Sequence, residues 1–179
     1  NWDNVRLRDE VQKYSQKITL SGVGFQGGYA QIEYPEFRIH EGEPLLHFRL
    51  NFPDYIINVQ SRLFGSHQAL CLSMAMNVAH YLDIPLQSIP LQELDLRSLP
   101  GRGSLSYIQE DNILVIDDSY NANPQSMNAA LKVVQNIPWK GRKIAVLGTM
   151  KELGEKTSLF HEEILHRTSW VDLLLLVGE

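Results

Sequence analysis

The most constraining feature of the sequence is residues 112–128, Asn-Ile-Leu-Val-Ile-Asp-Asp-Ser-Tyr-Asn-Ala-Asn-Pro-Gln-Ser-Met-Asn. Its apolar run, residues 113–116, is mostly β-branched and predicts a short strand that is buried on both faces, as in a parallel sheet. Asn123 is suited to cap a helix, and Pro124 fits the first helical position, where no backbone N–H is missed. The stretch therefore predicts a strand, a polar turn and a helix, in that order.

Strands and helices continue to alternate after this stretch. Beyond residue 103 the pattern predicts strand 113–116, helix 124–136, strand 143–147, helix 158–169 and strand 172–177. Alternation at a spacing of about 30 residues is typical of a βαβαβ unit, and therefore of a parallel sheet with right-handed crossovers.

Residues 29–62 follow a different pattern. The apolar runs 29–32, 37–39, 45–50 and 55–59 are separated by the turn-rich segments 41–44 and 51–54. Such short runs predict antiparallel strands. The expected fold class is therefore α/β, with antiparallel strands followed by an incomplete Rossmann-like parallel domain.

The polar turn 118–123 is the first candidate for a functional site. In open α/β sheets, ligands bind at the carboxyl ends of strands, and this turn follows a predicted strand end. The alternative is that its Asp and Asn residues are present only because they favour turns and helix caps. The residue types alone leave both interpretations open.

Composition excludes several classes of protein. A hydrophobic content of 44% is enough for a sizeable core and argues against disorder. The net charge of −5 argues against a nucleic-acid-binding surface, and no apolar run approaches the roughly 20 residues of a membrane span. The single cysteine, Cys71, excludes an internal disulfide and is expected to be a packed thiol on a helix. A reducing, cytoplasmic setting is expected.

Two motifs carry a family resemblance. Residues 117–124, Asp-Asp-Ser-Tyr-Asn-Ala-Asn-Pro, with Ser126-Met127 and 129–131 after them, resemble the linker motif of the Mur ligases. Residues 145–154, Ala-Val-Leu-Gly-Thr-Met-Lys-Glu-Leu-Gly, followed by His161, are similar to a Val-Leu-Gly-Asp-Met-x-Glu-Leu-Gly pattern of that family. Within the family, both motifs resemble the branch that adds D-alanyl-D-alanine to UDP-N-acetylmuramoyl-tripeptide, because the other branches carry different linkers.

The resemblance implies a domain organisation and a reaction. Residues 1–100 would be the later part of the central ATP-binding domain, and residues 101–179 the first part of the C-terminal Rossmann-like domain. The implied activity is that of an ATP- and Mg²⁺-dependent ligase of peptidoglycan precursor synthesis in the cytoplasm. ATP phosphorylates the carboxylate of UDP-N-acetylmuramoyl-tripeptide, and the amine of D-alanyl-D-alanine attacks the acyl phosphate.

The resemblance also places a nucleotide site. Arg102 matches the arginine at the family's domain junction, near the nucleotide phosphates, where a guanidinium offers a planar fork for phosphate oxygens. A solvated linker arginine is the alternative. Asp118 is expected to accept hydrogen bonds from the ribose hydroxyls, and the linker residues Tyr120, Asn121 and Asn123 complete the expected site. The glycines on either side of Arg102 predict a hinge.

The adenine contacts of the family are expected at the start of a helix over residues 68–82. Residues 65–68, Gly-Ser-His-Gln, resemble the family element Gly-x-His-Asn-x-x-Asn and nominate His67 and Gln68. Gln68 and Cys71 stand where the family has asparagines, and Gln68 keeps both a donor and an acceptor. The predicted core face of this helix is formed by Leu70, Met74, Val78 and Tyr81, with Ser73, Asn77 and His80 opposite.

Two other motifs are interpreted without a ligand. Residues 22–27 match the dinucleotide pattern G-x-G-x-x-G, but the residues after them alternate like a strand, so a glycine-rich turn is predicted instead. His161 and His166 resemble a zinc motif, yet their i, i+5 spacing places them about 140° apart around a helix. A zinc site is therefore rejected, and His161 is expected on the helix surface.

Competing functions remain open from the sequence. The chain contains no G-x-x-x-x-G-K-[ST] phosphate loop, so it is expected to be a fragment that is inactive alone, with no catalytic residue and no metal ligand assigned within it. The missing loop favours a non-catalytic Rossmann-like binding module for the isolated chain. The two motifs favour the ligase, and a sibling Mur ligase or a folylpolyglutamate synthase is the second enzymatic alternative.

Overall fold

In a computed structural model, the chain forms two compact units, Asn1–Arg97 and Ser98–Glu179, called here the first and second units. The structure describes residues 1–14, 20–89 and 96–178. The sequence also predicts a strand over 17–20, and this segment lies almost wholly outside the described residues. A short helical segment that the sequence predicts over 85–94 is described only in part, as a 3₁₀ turn at Leu86–Ser88.

The first unit is built on a four-stranded sheet. Helix α1 (Val5–Gln12) begins at Asn4, whose side chain accepts a hydrogen bond from the Leu7 N–H at 3.1 Å. The strands are β1 (Val23–Gly24), β2 (Ala30–His40), β3 (Glu43–Asn51) and β4 (Ile56–Ser61), in the order β1-β2-β3-β4. β1 is parallel to β2, and the rest is antiparallel, as predicted.

Two of the predicted strands are one strand in the structure. β2 runs through the position where a break was expected, with a register shift against β3 between Glu33 and Glu36. Tyr34 has a positive φ of 52° there, and Pro35, which has no N–H, follows it. The irregularity is a bulge, which lets the strand continue past a proline.

Helix α2 (Gln68–Tyr81) packs mainly with the face opposite to the predicted one, and of the predicted core residues Leu70 packs against the core. Ser73 and Asn77 are buried, whereas Met74, Val78 and Tyr81 are 38%, 59% and 57% exposed. Asn77 is held by the Ser21 hydroxyl, with their side chains hydrogen-bonded at 2.9 Å. Small polar side chains allow the helix to lie close to the sheet, so burial does not follow the apolar stripe.

The Cys71 thiol is exposed on this helix, so the expected packed thiol is wrong. Ser66 is a residue type that commonly caps helices, but the N-cap of α2 is His67, which makes no side-chain cap bond. The C-terminal end of α2 is fixed by His80, whose two ring nitrogens lie 3.0 Å from the Tyr29 hydroxyl and 2.6 Å from the Tyr55 hydroxyl.

The glycine-rich segment is a turn that leads from β1 into strand β2. Asp3 caps it, because its carboxylate oxygens accept from the N–H groups of Phe25 at 2.7 Å and Gln26 at 3.1 Å. The ring of Trp2 lies so close that a Cβ at Gly22 would come within 2.2 Å of it. A strand follows the turn rather than a helix N-terminus, which confirms the interpretation as a turn.

The second unit contains two separate pairs of strands. β5 (Ser104–Ile108) is antiparallel to β6 (Ile113–Asp117), and β7 (Ile144–Gly148) is parallel to β8 (Leu173–Val177). Helix α3 (Pro124–Asn136) follows β6, and a 3₁₀ turn (Gly154–Lys156) leads into helix α4 (Thr157–His166). In the described part of the chain, no helix is long and apolar enough to cross a bilayer.

The strands and helices predicted after residue 103 are confirmed, but the pairing of β6 is not the predicted one. Its described partner is β5, a strand that was not predicted. Ile113 and Val115 are 46% and 43% exposed, so burial on both faces is wrong as well. The hairpin β5–β6 places one side of the strand toward solvent, as antiparallel sheets commonly do.

Helices α3 and α4 share a small core made of Leu131, Met150 and Ile164. The C-terminal end of α3 is closed by Lys143, whose ammonium donates to the carbonyl oxygens of Val134, Gln135 and Ile137 at 2.9, 2.8 and 2.9 Å. This cation satisfies carbonyls that a helix end leaves without intrahelical partners.

Candidate nucleotide site

The turn after β6 is organised by the Asp117 carboxylate. Its Oδ1 accepts from the Ser119 hydroxyl at 2.6 Å and from the Ser119 N–H at 3.1 Å. These two bonds, with a smaller contribution from the Gly101 N–H, lower the pKa of Asp117 despite partial desolvation. The carboxylate is thus a charged anchor for the turn, which fixes the backbone direction of the residues that follow.

The start of α3 is a capping box. Asn123 Oδ1 accepts from the N–H groups of Gln125 at 3.0 Å and Ser126 at 2.9 Å, and the Ser126 hydroxyl accepts from the Asn123 N–H at 3.1 Å. The predicted cap is therefore confirmed. Asn121 Oδ1 accepts from the adjacent Ala122 N–H at 2.8 Å. In both Asn121 and Asn123, the side-chain oxygen is the atom that accepts these hydrogen bonds.

The junction residue Arg102 lies next to this turn. Gly103 N–H donates to the Asp117 carbonyl at 2.9 Å, and Tyr120 N–H donates to the Gly101 carbonyl at 2.9 Å. Gly101 and Gly103 have φ of 72° and 74°, which a residue with a side chain adopts only at a cost. The Arg102 guanidinium stacks over the Tyr120 ring, 4.2 Å from its centroid.

A cavity of about 790 Å³ lies between β6, α3 and β7. Asp118, Tyr120 and Asn121 line it from the first motif, and Thr149 and Lys151 line it from the second. The remaining wall is mostly apolar side chains of α3 and β7, with Trp170. Its size and its few polar groups suit a small-molecule site, and the two sequence motifs face the same space.

His161 fixes the loop that carries the second motif. Met150 N–H donates to His161 Nε2 at 3.0 Å, and His161 Nδ1 lies 2.8 Å from the Thr157 carbonyl oxygen. Because Nε2 accepts, the proton sits on Nδ1 and bonds the carbonyl. The expectation of a helix-surface histidine is wrong, since this ring is half-buried and joins the loop to α4.

The remaining predicted residues, His67 and Gln68, belong to the first unit. Gln68 Nε2 lies 3.5 Å from His67 Nε2, at the long limit for a hydrogen bond. His67 is exposed and Gln68 is half-buried. Within the described ranges, no group of three or more His, Cys, Asp or Glu is placed to hold a metal ion.

The structure thus brings together five of the seven predicted residues. Arg102, Asp118, Tyr120, Asn121 and Asn123 surround one strand end, with the second motif across the cavity. The stack of Arg102 on Tyr120 and the bond from Met150 to His161 were missed from the sequence, and only the strand–turn–helix pattern signalled that these loops would converge.

Comparison with known proteins supports the family resemblance. Residues 103–179 match the family model described as Mur ligase, glutamate ligase domain. Over the whole chain, the sequence is 30% identical to UDP-N-acetylmuramoyl-tripeptide–D-alanyl-D-alanine ligase of Escherichia coli strain K12, covering 37% of that protein. Over 56% of the chain it is 43% identical to the corresponding Bacillus subtilis strain 168 ligase, covering 22% of it.

Solved structures agree with these relatives. The chain superimposes on the MurF ligase of Thermotoga maritima in complex with ADP with a TM-score of 0.80 and 28% identity, covering 98% of this chain and 38% of that one. The MurC ligase of Thermotoga maritima shares the fold, with a TM-score of 0.63 at 18% identity. The chain spans 22–37% of the length of the two curated relatives named above. On its motifs, its sequence relatives and its fold, the chain belongs to the Mur ligase family.

Proposed function

We propose that this chain serves an ATP-dependent ligase that adds D-alanyl-D-alanine to UDP-N-acetylmuramoyl-tripeptide during peptidoglycan precursor synthesis. The observation that carries the proposal is the convergence of the two motifs on one cavity of the second unit. The relatives named for this reaction, and the ADP-bound structure among them, support it. The cytoplasmic setting stays a prediction.

The proposed nucleotide site uses the polar groups around the end of β6. Arg102 would face the phosphates, and Asp118 would accept hydrogen bonds from the ribose hydroxyls. The side-chain NH₂ groups of Asn121 and Asn123 would serve as donors, since the oxygens of both amides are already bonded within the turn. We assign residues 101–179 to the C-terminal domain of the ligase and residues 1–100 to the central domain.

His67 and Gln68 of the first unit are proposed as adenine contacts. Gln68 carries both a donor and an acceptor, which an adenine edge requires. The first unit would supply these residues from the start of α2.

The chemistry follows from the weakness of a carboxylate as an electrophile. Phosphorylation by ATP converts one carboxylate oxygen into a leaving group, and the amine of D-alanyl-D-alanine then forms the amide as inorganic phosphate departs. Mg²⁺ would accompany the ATP phosphates, as in other phosphoryl transfers. The described residues offer no cluster to hold the ion, so no ligand to it is assigned, and no catalytic residue is assigned either.

The test is substrate dependence in the complete ligase. Phosphate release from ATP should require both UDP-N-acetylmuramoyl-tripeptide and D-alanyl-D-alanine. A panel of amines in place of the dipeptide separates this ligase from its siblings and from folylpolyglutamate synthase. Activity with another amine and none with D-alanyl-D-alanine would contradict the proposal.

A second candidate applies to the 179 residues by themselves. Because they contain no phosphate-loop sequence, the isolated chain is expected to act only as a non-catalytic binding module. ADP release by the purified chain, measured with both peptide substrates and Mg²⁺, should not exceed the uncatalysed background. Turnover above that background would contradict this expectation.

A further inference from the structure

Two exposed side chains of the second unit form a defined stack. The guanidinium carbon of Arg102 lies 4.2 Å from the centroid of the Tyr120 ring, well inside the roughly 6 Å limit of a cation–π contact. Tyr120 is 68% exposed, and Arg102 is exposed as well. Burial in a core therefore does not explain why these two side chains meet.

The backbone holds both residues in place for this contact. The Tyr120 N–H donates to the Gly101 carbonyl, and the Gly103 N–H donates to the Asp117 carbonyl, both at 2.9 Å. A Cβ at Gly101 would lie 3.2 Å from the Tyr120 Cβ, so the absence of a side chain allows this close approach. The stack is therefore a consequence of how the turn is bonded to the end of β6.

Stacking leaves the hydrogen-bonding capacity of the arginine intact. The guanidinium carbon lies over the ring, whereas the five N–H donors lie at the edge of the guanidinium, in its plane. Among residues 1–14, 20–89 and 96–178, Arg102 has no side-chain hydrogen bond or ion pair. The group is thus held in position while its in-plane donors remain available to an anion.

We propose that Tyr120 is a positioning residue, which holds the Arg102 guanidinium so that its in-plane N–H groups meet the nucleotide phosphates. Tyr120 then acts on ATP through Arg102 and makes no contact of its own with the base or ribose. This role rests on the proposed function. It replaces the direct nucleotide contact expected for Tyr120 from the sequence.

The first test is a double-mutant cycle for ATP binding in the complete ligase, with Tyr120→Leu, Arg102→Ala and the double variant. Loss of a cation–π contact predicts that Tyr120→Leu weakens ATP binding about two- to fivefold. The double variant should bind no more weakly than Arg102→Ala alone. Tyr120→Phe, which keeps the ring, is the matched control and should recover most of the affinity that Tyr120→Leu loses.

Adenosine, which carries no phosphate, gives a second readout of the same variants. Tyr120→Leu should leave the affinity for adenosine unchanged if the ring acts on phosphates through Arg102. Equal losses for adenosine and ATP, or additive losses in the cycle, would overturn the proposal by showing that Tyr120 touches the nucleotide itself.

The last measurement needs no nucleotide. Protons of the Arg102 side chain that lie over the ring should resonate upfield in NMR spectra of the 179-residue chain. Tyr120→Leu should abolish this shift and Tyr120→Phe should keep it, and an unshifted Arg102 in the unchanged chain would overturn the proposal. Failure of the unchanged ligase to bind ATP would overturn the proposed function instead, so the two failures are distinguishable.

Discussion

Replacement of Lys143 by methionine tests how the end of α3 is stabilised. The ammonium of Lys143 bonds three carbonyl oxygens, those of Val134, Gln135 and Ile137, at 2.8–2.9 Å. Methionine keeps an unbranched apolar stem but removes the charge and all three donors. The carbonyls of Val134 and Gln135 then lose a partner that neither the helix nor the new side chain replaces, whereas the Ile137 carbonyl keeps the Trp139 N–H at 2.8 Å.

The magnitude follows from these bonds and from their cost. Hydrogen bonds to a charged group contribute about 1.5–3 kcal/mol each in favourable cases. Because this lysine is only half-buried, each of its three bonds is taken at the lower end of that range, and fixing its side chain costs about 2 kcal/mol of entropy. We therefore expect Lys143→Met to lower the free energy of unfolding of the second unit by about 2–3 kcal/mol. The urea midpoint should fall by roughly 1–2 M.

The assay has to report the second unit alone. Trp139 and Trp170 lie in that unit and Trp2 in the first, so a Trp2→Phe background confines the fluorescence signal to the second unit. Lys132→Met is the matched control, because it removes an exposed lysine from α3. A loss for Lys143→Met below about 0.5 kcal/mol, no larger than for an ordinary surface change, would refute the argument from the helix end.

The remaining predictions concern the candidate site. In the complete ligase, Asp118→Ala and Arg102→Ala should each lower kcat/KM by about tenfold to a thousandfold, the effect of losing a charged contact of about 1.4–4 kcal/mol; wild-type kinetics in both folded variants would contradict the site. Ser119→Ala removes the largest cause of the lowered Asp117 pKa, so NMR titration should show that pKa rising. Because a lowered folded-state pKa stabilises above the unfolded pKa and is lost as pH falls through the folded value, the variant should also begin acid unfolding at a higher pH. Asn123→Ala removes the cap of α3 and should cost about 0.5–2 kcal/mol in urea unfolding, with an exposed asparagine at the other end of the helix as control.

The sequence predicted the positions of the strands and helices more accurately than it predicted which strands pair. The apolar run in β6 and the cap at Asn123 are local signals, and both elements form where they were expected. Which strand lies beside β6 depends on the hairpin with β5, a strand that was not predicted from the sequence. The pairing was therefore mispredicted although the strand was not.

The prediction of which face of α2 is buried was wrong for a related reason. This helix carries apolar residues on more than one side, so periodicity alone does not select the face that meets the sheet. The buried face carries Ala69 and Met76 as well as Asn77, and Asn77 hydrogen-bonds Ser21, a residue outside the helix. A tertiary hydrogen bond of this kind has no signature in the helix itself.

The candidate site was predictable where its residues are close in sequence. One motif indicated the turn 117–123 as a candidate site. The side-chain hydrogen bonds of Asp117, Asn121 and Asn123 reach residues at most three positions away, so they follow from the local sequence. The approach of Arg102 to Tyr120 depends on the β5–β6 hairpin that returns the chain, and the bond from Met150 to His161 depends on how α4 packs. Both contacts were therefore beyond the reach of local patterns.

The bonds on either side of Arg102 have a mechanical consequence. The two glycines suggested a joint at this position, but Gly101 and Gly103 are each hydrogen-bonded to the segment that closes β6. Rotation of the backbone at Gly101 would break the bond from the Tyr120 N–H, and rotation at Gly103 would break the bond to the Asp117 carbonyl. The backbone on both sides of Arg102 is thus held to the end of β6, and any rotation at this position carries the cost of at least one of these hydrogen bonds.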